Sequence, residues 1–476
     1  MAHVRNSHPS RESLPRAESR GKGAVTGRRS LYLWVWLTVV FLQAALTVSA
    51  QAQTIQWIRQ FGSGGFDRIL PVATDASGNV YVAGGVAGAL PGQTSSGGQD
   101  AYVRKYDASG TELWTRQFGT SGLDEGAGVF ADSSGVYVVG PVEGGTLPGQ
   151  TSSGGVDAFI RKYDANGNEL WTRQFGTSGG EGANVVFADG SSVYVVGWAN
   201  GALPGQTSSG GDDAFIRKYD ASGTELWTRQ FGSSNTDYGS GVTADASGVY
   251  VGGVTFGALP GQSSSGDLDV FIRKYDASGN ELWTQQFGTS AIDSVGGWSV
   301  FADSSGVYVG GFTGGTLPGQ TNAGDWDAFI RKCSHDGTEQ WTRQFGTSGS
   351  DTPNGLSADG SSVYVGGQTT GTLPGQTNAG SDDTFVRKFD SNGNGLWTRQ
   401  FGTTSTDHSV GVSAANSAVY IAVQTLGTFP SQTSAGNWTP LCGSTTPVEM
   451  RFGRSSSAPA ASIILVGSLR IAPLCT

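Results

Sequence analysis

A six-residue motif, Trp-x-x-Gln-Phe-Gly, recurs seven times along the chain and constrains its fold more than any other feature. Its copies begin at Trp57, Trp114, Trp171, Trp227, Trp283, Trp341 and Trp397, at intervals of 57, 57, 56, 56, 58 and 56 residues. Periods of this length are typical of supersecondary units that stack against one another. The chain of 476 residues is therefore predicted to form one array of repeats rather than several unrelated domains.

Each repeat contains four short segments with strand character, as residues 171–226 illustrate. Segments 169–176 and 214–219 alternate between apolar and polar residues, and segments 184–188 and 192–197 are rich in β-branched and aromatic residues. Turn sequences separate the four segments. We therefore predict an all-β fold, a β-propeller of four-stranded blades, with about seven blades of which the last is incomplete.

The composition and the repeat length exclude other architectures. Gly and Pro are frequent, at 76 and 16 residues, but Gly has no three-residue period, which excludes collagen. Aromatic residues make up 10% of the chain and charged residues only 14%, unlike a disordered segment. A β-solenoid needs shorter coils of parallel strands. Separate domains of one repeat each would have too small a core.

Three longer motifs of the repeat resemble the bacterial SBBP (seven-bladed β-propeller) repeats. They are Phe-Gly-x-x-x-x-Asp, Ala-Asp-x-Ser-Gly-x-x-Tyr-Val-x-Gly and Asp-Ala-Phe-Ile-Arg-Lys-Tyr-Asp, and the resemblance covers residues 55–438. It implies an exported propeller of unassigned biochemical role and supplies no catalytic residues. It also implies that the inner strand follows the acidic residue and that Glu-Leu-Trp-Thr-Arg-Gln-Phe is the outer strand. Residues 54–61 are then an outer strand that closes the ring against the last blade, which protects two sheet edges.

Residues 1–52 have the features of a signal peptide with a basic N-terminal region. Arg28 and Arg29 precede an apolar segment at 31–50, and Ala50 and Ala52 give an Ala-x-Ala end. The alternative is an uncleaved membrane anchor, because 20 residues are enough to span a bilayer. The first interpretation predicts a secreted or cell-surface protein, extracellular or periplasmic, with no membrane insertion after signal removal.

The repeat pattern, which occupies residues 53–438, stops at Trp438. Residues 439–446 read Thr-Pro-Leu-Cys-Gly-Ser-Thr-Thr where Asp-Ala-Phe-Val-Arg-Lys-Tyr-Asp is expected. Inserting one nucleotide restores the expected residues with compatible codons, and the same shift restores repeat sequence as far as Thr476. We therefore predict that residues 439–476 are an aberrant, frameshifted tail that is poorly ordered, although 463–466 can still pair with an open strand edge. The alternative is an unrelated tail.

Charge and cysteine content narrow the functional classes. The formal net charge is −10, which argues against nucleic-acid backbones and anionic membranes as partners. Cys333, Cys442 and Cys475 form neither a disulfide framework nor a zinc-ligand spacing. We therefore expect no cofactor, with calcium as the exception to consider, and a monomer whose partner is an extracellular glycan or protein.

An acidic residue stands ten residues after each repeat Trp. If this position enters the inner strand, the seven carboxylates form an acidic ring at one mouth of the channel, where they could bind a cation or a cationic or sugar ligand. The alternative is that each acid caps backbone N–H groups of its own turn. The seven residues are Asp67, Asp124, Glu181, Asp237, Asp293, Asp351 and Asp407.

Two turn motifs have both a structural and a functional interpretation. Asp-x-x-Gly, as in 132–135 and 164–167, resembles part of a calcium loop but lacks the other acidic ligands, so turn formation is favoured. Leu-Pro-Gly-Gln, as in 90–93, is either a type II turn held by its Gln or part of a binding face.

Residues that break the repeat pattern are candidates for function. They are Glu143, Trp198, Trp298, Trp326, His335 and His408. They include no Ser-His-Asp or metal-binding set, although Trp198 and Trp298 could stack on a sugar. The sequence therefore predicts an exported, non-catalytic binding or structural module. The alternative is a propeller-type lyase or hydrolase that acts on an extracellular polysaccharide or small molecule at the channel mouth.

Overall fold

The computed structural model describes residues 54–63, 65–358, 361–415, 418–429 and 463–470. These residues form 29 β-strands in seven sheets, and every strand pair within a sheet is antiparallel. The all-β prediction is confirmed. Among the described residues there is no helix, and hence none with the length and apolarity that a membrane span requires. The predicted signal peptide at 1–52 lies outside the described residues.

Six sheets are blades, each built from one continuous stretch of chain. The strands of blades 1 to 3 are β2 (Asp67–Thr74), β3 (Val80–Val86), β4 (Asp100–Tyr106) and β5 (Glu112–Phe118); β6 (Leu123–Asp124), β7 (Gly128–Asp132), β8 (Gly135–Glu143), β9 (Val156–Tyr163) and β10 (Glu169–Phe175); and β11 (Glu181–Ala188), β12 (Ser192–Asn200), β13 (Asp212–Asp220) and β14 (Glu225–Phe231). In blade 2, β6 and β7 share the place of a single first strand and both pair with β8.

Blades 4 to 6 repeat the same order of four strands. They are β15 (Asp237–Asp245), β16 (Gly248–Thr255), β17 (Asp269–Tyr275) and β18 (Glu281–Phe287); β19 (Asp293–Asp303), β20 (Gly306–Thr313), β21 (Asp327–Cys333) and β22 (Glu339–Phe345); and β23 (Asp351–Ala358), β24 (Ser362–Thr369), β25 (Asp383–Asp390) and β26 (Gly395–Phe401). The number of blades made from a continuous stretch is thus six rather than seven.

The remaining sheet is a composite of the two ends of the described chain. Its order is β1 (Thr54–Phe61), β29 (Ile463–Arg470), β28 (Ala418–Thr425) and β27 (Asp407–Ala415). The predicted outer position of residues 54–61 is confirmed. Strand β29 takes the third position, where it pairs with β28 on one side and β1 on the other. Pairing of segment 463–466 with the open edge, expected from the sequence, therefore occurs and extends to Arg470. The rest of the tail lies outside the described residues.

The first strand of each sheet is the inner strand of a closed ring. Strand β2 packs against both β7 and β27, and the other first strands pack against their neighbours in chain order. The hydrophobic cores lie between the sheets. One core joins Val103 and Phe118 of blade 1 to Val138 and Phe159 of blade 2. Because both faces of a blade meet a neighbour, the second strands are apolar on both faces, which explains their lack of a strict polar alternation.

The recurrent Trp and Arg of the fourth strand connect adjacent blades. In blade 1, Trp114 Nε1 donates to the carbonyl of Ala165 at 3.1 Å, and Arg116 Nε donates to the carbonyl of Gly167 at 2.7 Å, both in a turn of blade 2. Strand β1 makes the same contacts with blade 1, from Trp57 to Ala108 at 3.0 Å and from Arg59 to Gly110 at 2.7 Å. The composite sheet therefore contacts blade 1 through the same two hydrogen bonds that join blade 1 to blade 2.

Candidate functional site

The seven predicted site acids are buried beside the starts of the first strands. Asp67, Asp124, Glu181, Asp237, Asp293, Asp351 and Asp407 are 0–1% exposed. Asp124 Oδ2 accepts hydrogen bonds from Thr120 N at 2.5 Å and Thr120 Oγ1 at 3.0 Å, and the other six accept equivalent bonds within their own turns. These contacts are those of the alternative given in the sequence analysis, in which each acid caps backbone N–H groups of its own turn. Ligand binding by these acids stays a prediction.

A second acid in each repeat, which the sequence analysis did not single out, lies next to the first. Residue Gln99 before Asp100 forms a parallel bridge with Leu123 before Asp124, so the two acids are neighbours across the boundary of blades 1 and 2. They meet over Gly119, where an added Cβ would lie 2.5 Å from Asp100 Oδ1 and 2.7 Å from Asp124 Oδ2. The motif Gly is therefore required by this close approach. The six such pairs are Asp100–Asp124, Asp157–Glu181, Asp213–Asp237, Asp269–Asp293, Asp327–Asp351 and Asp383–Asp407.

Burial raises the pKa of the first acid in these pairs. It raises the pKa of Asp124 to about 6, and the Asp100 carboxylate adds to the rise. The pKa of Asp237 is likewise raised to about 6 by burial, with a contribution from Asp213. At the boundary of blades 1 and 2 both Oδ1 atoms are buried without a hydrogen-bond partner. At the four boundaries from blade 3 to the composite sheet, the hydroxyl of a second-strand Thr contacts the first acid and lowers its pKa; these residues are Thr255, Thr313, Thr369 and Thr425. Each pair thus brings two carboxyl groups together where almost no solvent reaches them.

The turn motifs have structural roles. Asp164 Oδ1 accepts hydrogen bonds from the backbone N–H groups of Asn166 and Asn168, both at 2.8 Å, as expected for a turn cap. In Leu-Pro-Gly-Gln, the N–H of Gln93 donates to Leu90 O at 2.9 Å, and Gly92 has a φ of 72°, as a type II turn requires. The Gln93 side chain accepts a bond from Gln117 N at 3.1 Å. Gln93 therefore attaches the loop between β3 and β4 to strand β5.

The positions at which the repeats differ most are brought together at one edge of the blades. First strands begin, second strands end and third strands begin at this edge, so residues that are distant in sequence become neighbours. We call these positions the variable layer: in blade 1 they are Phe66, Arg68, Gly85, Ala87 and Gln99, and the equivalent residues of the other sheets belong to it. The acid pairs lie directly beside the variable layer.

Two polar contacts of the variable layer cross a sheet boundary. Arg68 of blade 1 forms an ion pair with Glu125 of blade 2, with Nη1 at 3.0 Å from Oε1. Burial raises the pKa of Glu125, and Arg68 opposes the rise. His408 of β27 lies 3.0 Å from Asp382 Oδ2 of blade 6. Arg68 thus contacts Glu125, and His408 contacts Asp382, across these boundaries.

Apart from Phe66 of blade 1, the aromatic residues of the variable layer lie on blades 3 to 5 in the part of the chain that the structure describes. The rings of Trp198 and Tyr238 are edge-to-face, with centroids 6.2 Å apart, across the boundary of blades 3 and 4. Asp212 accepts hydrogen bonds from Tyr238 Oη at 3.0 Å and from Asn200 Nδ2 at 2.7 Å. Together they place aromatic surface beside a carboxylate at the end of the blades.

A second aromatic group occupies blade 5. The rings of Trp326 and Phe312 are stacked, with centroids 5.1 Å apart and planes inclined by 26°. Trp326 is 36% exposed, and the equivalent positions of the other blades hold Gln99, Val156, Asp212, Leu268 and Asp382. A stacked, solvent-exposed indole is suited to binding the apolar face of a ligand.

The other pattern-breaking residues do not join these groups into one catalytic set. His335 lies in the turn between β21 and β22, at the opposite end of the blade, where Nε2 is 3.0 Å from Asp245 Oδ2 and 2.9 Å from the carbonyl of Asp303. It links blades 4 and 5 and is far in the fold from His408. Glu143 belongs to the variable layer in blade 2, and nothing is described of the Trp298 side chain.

Comparisons with known proteins agree with this architecture. Residues 340–374 match the model of the SBBP family, described as a β-propeller repeat. These residues span most of the last strand of blade 5 and the first two strands of blade 6, and their pattern recurs along the chain. The chain is a β-propeller, and residues 340–374 of it match the SBBP repeat. The propeller is also 28% identical, over 359 residues, to the regulatory protein FlaEY of Caulobacter vibrioides, a match that covers 66% of this chain and 38% of the relative. The chain thus spans well under half the length of that relative.

Solved structures with similar folds have low sequence identity to the propeller. The phage phi92 endosialidase has a TM-score of 0.42 at 11% identity, covering 87% of this chain and 69% of that chain. The lignostilbene dioxygenase of Pseudomonas brassicacearum has a TM-score of 0.40 at 9% identity, covering 80% and 88%. The WD40 domain of Neurospora crassa Pan2 has a TM-score of 0.33 at 10% identity, covering 77% and 81%. These TM-scores are below 0.5, so the fold assignment rests on the strand pairings described above.

Proposed function

We propose that this protein is an exported, non-catalytic, monomeric β-propeller that binds an extracellular glycan through the variable layer of blades 3 to 5. The observation that carries the proposal is the distribution of differences among the repeats. Residues that build a blade are nearly the same in every copy, whereas residues of the variable layer differ from copy to copy and share one edge. In a repeat array, residues that serve the unit recur in every unit, and residues that depart from the pattern are free to serve a ligand.

The chemistry of this region favours a carbohydrate. Trp198, Tyr238 and Trp326 offer apolar ring faces, and Asp212 and Asn200 offer an acceptor and a donor beside them. Sugars combine apolar C–H faces with hydroxyl groups, so they require aromatic surface together with a few polar groups. The net charge of −10 over the full sequence disfavours acidic polymers, so we propose a neutral or cationic glycan.

One observation supports a binding role rather than a catalytic one, and a second supports export of the protein from the cell. The recurrent acids are buried and accept hydrogen bonds within their own turns, which leaves no acid open to a substrate among the seven. The basic residues, apolar segment and Ala-x-Ala end within residues 1–52 support export. The relative FlaEY is named a regulatory protein, and a regulatory role is compatible with a binding module.

A glycan array followed by calorimetric titration tests this proposal. We expect the protein to bind a defined group of neutral or cationic glycans, and we expect Trp198→Val and Trp326→Leu each to weaken binding by about tenfold or more, as for aromatic residues at the centre of an interface. Both substitutions install the residue that a sister blade carries, Val254 or Leu268, so the fold should be retained.

The matched control is Val156→Leu, the same position in blade 2, which should leave glycan binding unchanged. Unchanged affinity in both Trp variants, or no glycan bound at all, would refute the proposal. Cleavage of a bound glycan, detected as new reducing ends or unsaturated products, would instead establish the lyase or hydrolase alternative.

A further inference from the structure

Strand β29 fills the third position of the composite sheet with the register of a repeat strand but without its polar residues. It pairs with β28 as the third strand of a blade pairs with the second. By this register Ile463 stands at the position of the recurrent Asp, Gly467 at that of the recurrent Arg and Ser468 at that of the recurrent Lys. The third strand is therefore in place, but the residues that attach a third strand to its neighbours are absent from its sequence.

In all six blades, a Gln of the fourth strand holds the third-strand Asp. In blade 1, Gln117 Nε2 donates to Asp100 Oδ2 at 2.8 Å and to the carbonyl of Gly88 at 3.0 Å, and Gln117 Oε1 accepts from Leu90 N at 2.9 Å. The other five blades repeat all three hydrogen bonds. One side chain thus fixes both the third strand and the loop that precedes it.

Gln60 of β1 is the equivalent of Gln117 in the composite sheet, and it makes none of these bonds. Its Nε2 and Oε1 atoms are buried and lack a hydrogen-bond partner among the described residues, which include the loop residues Gly427 and Phe429. A buried amide without partners is unfavourable. The composite sheet therefore retains the donor for an Asp that β29 does not supply.

Blade 1 likewise retains the acceptor for a third-strand Lys of the composite sheet. Lys105 Nζ donates to the carbonyl of Ala165 in the next blade at 3.1 Å, and the Lys residues of blades 2 to 5 bond the equivalent carbonyls at 2.9–3.4 Å. The carbonyl of Ala165 also accepts the bond from Trp114. For the composite sheet the equivalent acceptor is the carbonyl of Ala108, which accepts the bond from Trp57.

Strand β1 differs from the other fourth strands at the two residues that hold the third-strand Arg. In blade 1, Arg104 Nε donates to Thr115 Oγ1 at 2.7 Å, and Arg104 Nη1 lies 3.3 Å from Glu112 Oε2. In β1 these two positions are Ile58 and Ile55, and Ile58 packs against the core between blade 6 and the composite sheet. An Arg opposite Ile58 would be buried without these partners, so an apolar residue is favoured at that position.

We propose that the third-strand slot, the position between β28 and β1, binds an extended segment of another protein chain that displaces β29. The segment has the sequence Asp-Ala-aromatic-apolar-apolar-Lys-aromatic. Its Asp would lie beside Asp67, as each third-strand Asp lies beside the first acid of the next sheet. Main-chain hydrogen bonds to β28 and β1 supply affinity, as when a donated strand completes a sheet. Because β29 makes the same main-chain pairings, the Asp and the Lys decide the exchange.

Fluorescence anisotropy of the labelled peptide Asp-Ala-Phe-Ile-Ile-Lys-Tyr with the full chain tests the proposal. We expect saturable binding of one peptide per chain. A peptide with Ile in place of the Asp, and another with Arg at the fifth position, should each bind more weakly by about tenfold or more, because each leaves a buried polar group unpaired. Peptide binding should also accelerate tryptic cleavage after Arg470, because β29 leaves the sheet.

Two variants test whether the peptide occupies the slot. Gln60→Leu should bind the Asp and Ile peptides equally, because the buried amide is gone. Ile463→Asp combined with Ser468→Lys gives β29 the missing residues, so it should raise the melting temperature and abolish peptide binding. Three results would each overturn the proposal: no saturable binding by the wild type, equal affinity of the wild type for the Asp and Ile peptides, or unchanged peptide binding in the double variant. The first two use only the wild-type protein, so they decide the question even if a variant fails to fold.

Discussion

Replacing Trp227 with Ala is expected to lower the free energy of unfolding by ~3–5 kcal/mol, the usual cost of removing a large aromatic residue from a packed interface. The indole of Trp227 lies between its own blade and the next. Its Nε1 donates to Ala277 O at 3.2 Å, and its ring centroid is 6.3 Å from that of Tyr194 and 6.3 Å from that of Tyr275. The substitution removes one hydrogen bond and two aromatic contacts.

The measurement is the denaturant midpoint by circular dichroism, compared with that of Leu226→Ala. Leu226 is adjacent in sequence but 53% exposed, so its substitution should change stability by no more than about 0.5 kcal/mol. Equal effects of the two substitutions would contradict the assignment of Trp227 to the contact between blades.

Replacing Gly119 with Ala should lower the free energy of unfolding by about 3 kcal/mol. The added methyl group overpacks the site, and hydrogen bonds to the neighbouring carboxyl groups are lost. The new Cβ would lie 2.5 Å from Asp100 Oδ1 and 2.7 Å from Asp124 Oδ2, closer than van der Waals contact allows. Both carboxylates would have to move, and their bonds to Gln117 and Thr120 would be broken.

Gly297→Ala is the matched control for this prediction. A Cβ at Gly297 would have no heavy atom within 4 Å, so its substitution should alter the free energy of unfolding by about 0.5 kcal/mol at most. Thermal unfolding monitored by calorimetry gives both values. If Gly119→Ala unfolded at the wild-type temperature, the close approach of the two acids would be incorrect.

Most of the fold could be predicted from the sequence because local signals and the repeat agree. The four strands of residues 171–226, the turns capped by acids such as Asp164, and the outer position of residues 54–61 all follow from alternation, turn chemistry and the need to cover a sheet edge. The composite sheet was only partly predictable. Its third strand, β29, comes from a segment without repeat sequence, so no pattern placed it between β28 and β1.

The candidate site was less predictable because it depends on register between sheets. The first acid of each repeat was identified, but its burial was not, since a spacing of ten residues after Trp does not show where the carboxylate points. The second acid recurs as regularly as the first. Only the parallel bridge between Gln99 and Leu123 shows that Asp100 and Asp124 adjoin. The variable layer likewise becomes one surface only when the ends of several strands are aligned.

Exchanging the stacked aromatic pair of blade 5 with the polar pair of blade 6 tests the central claim most directly. The variant Phe312→Gln, Trp326→Asp, Gln368→Phe and Asp382→Trp preserves composition and net charge and uses only equivalent positions. Calorimetric titration with the tightest-binding array glycan should then show at least about a tenfold loss of affinity, with an unchanged strand content. Unaltered affinity in the exchanged protein would contradict the claim that the variable layer of blades 3 to 5 is the binding site.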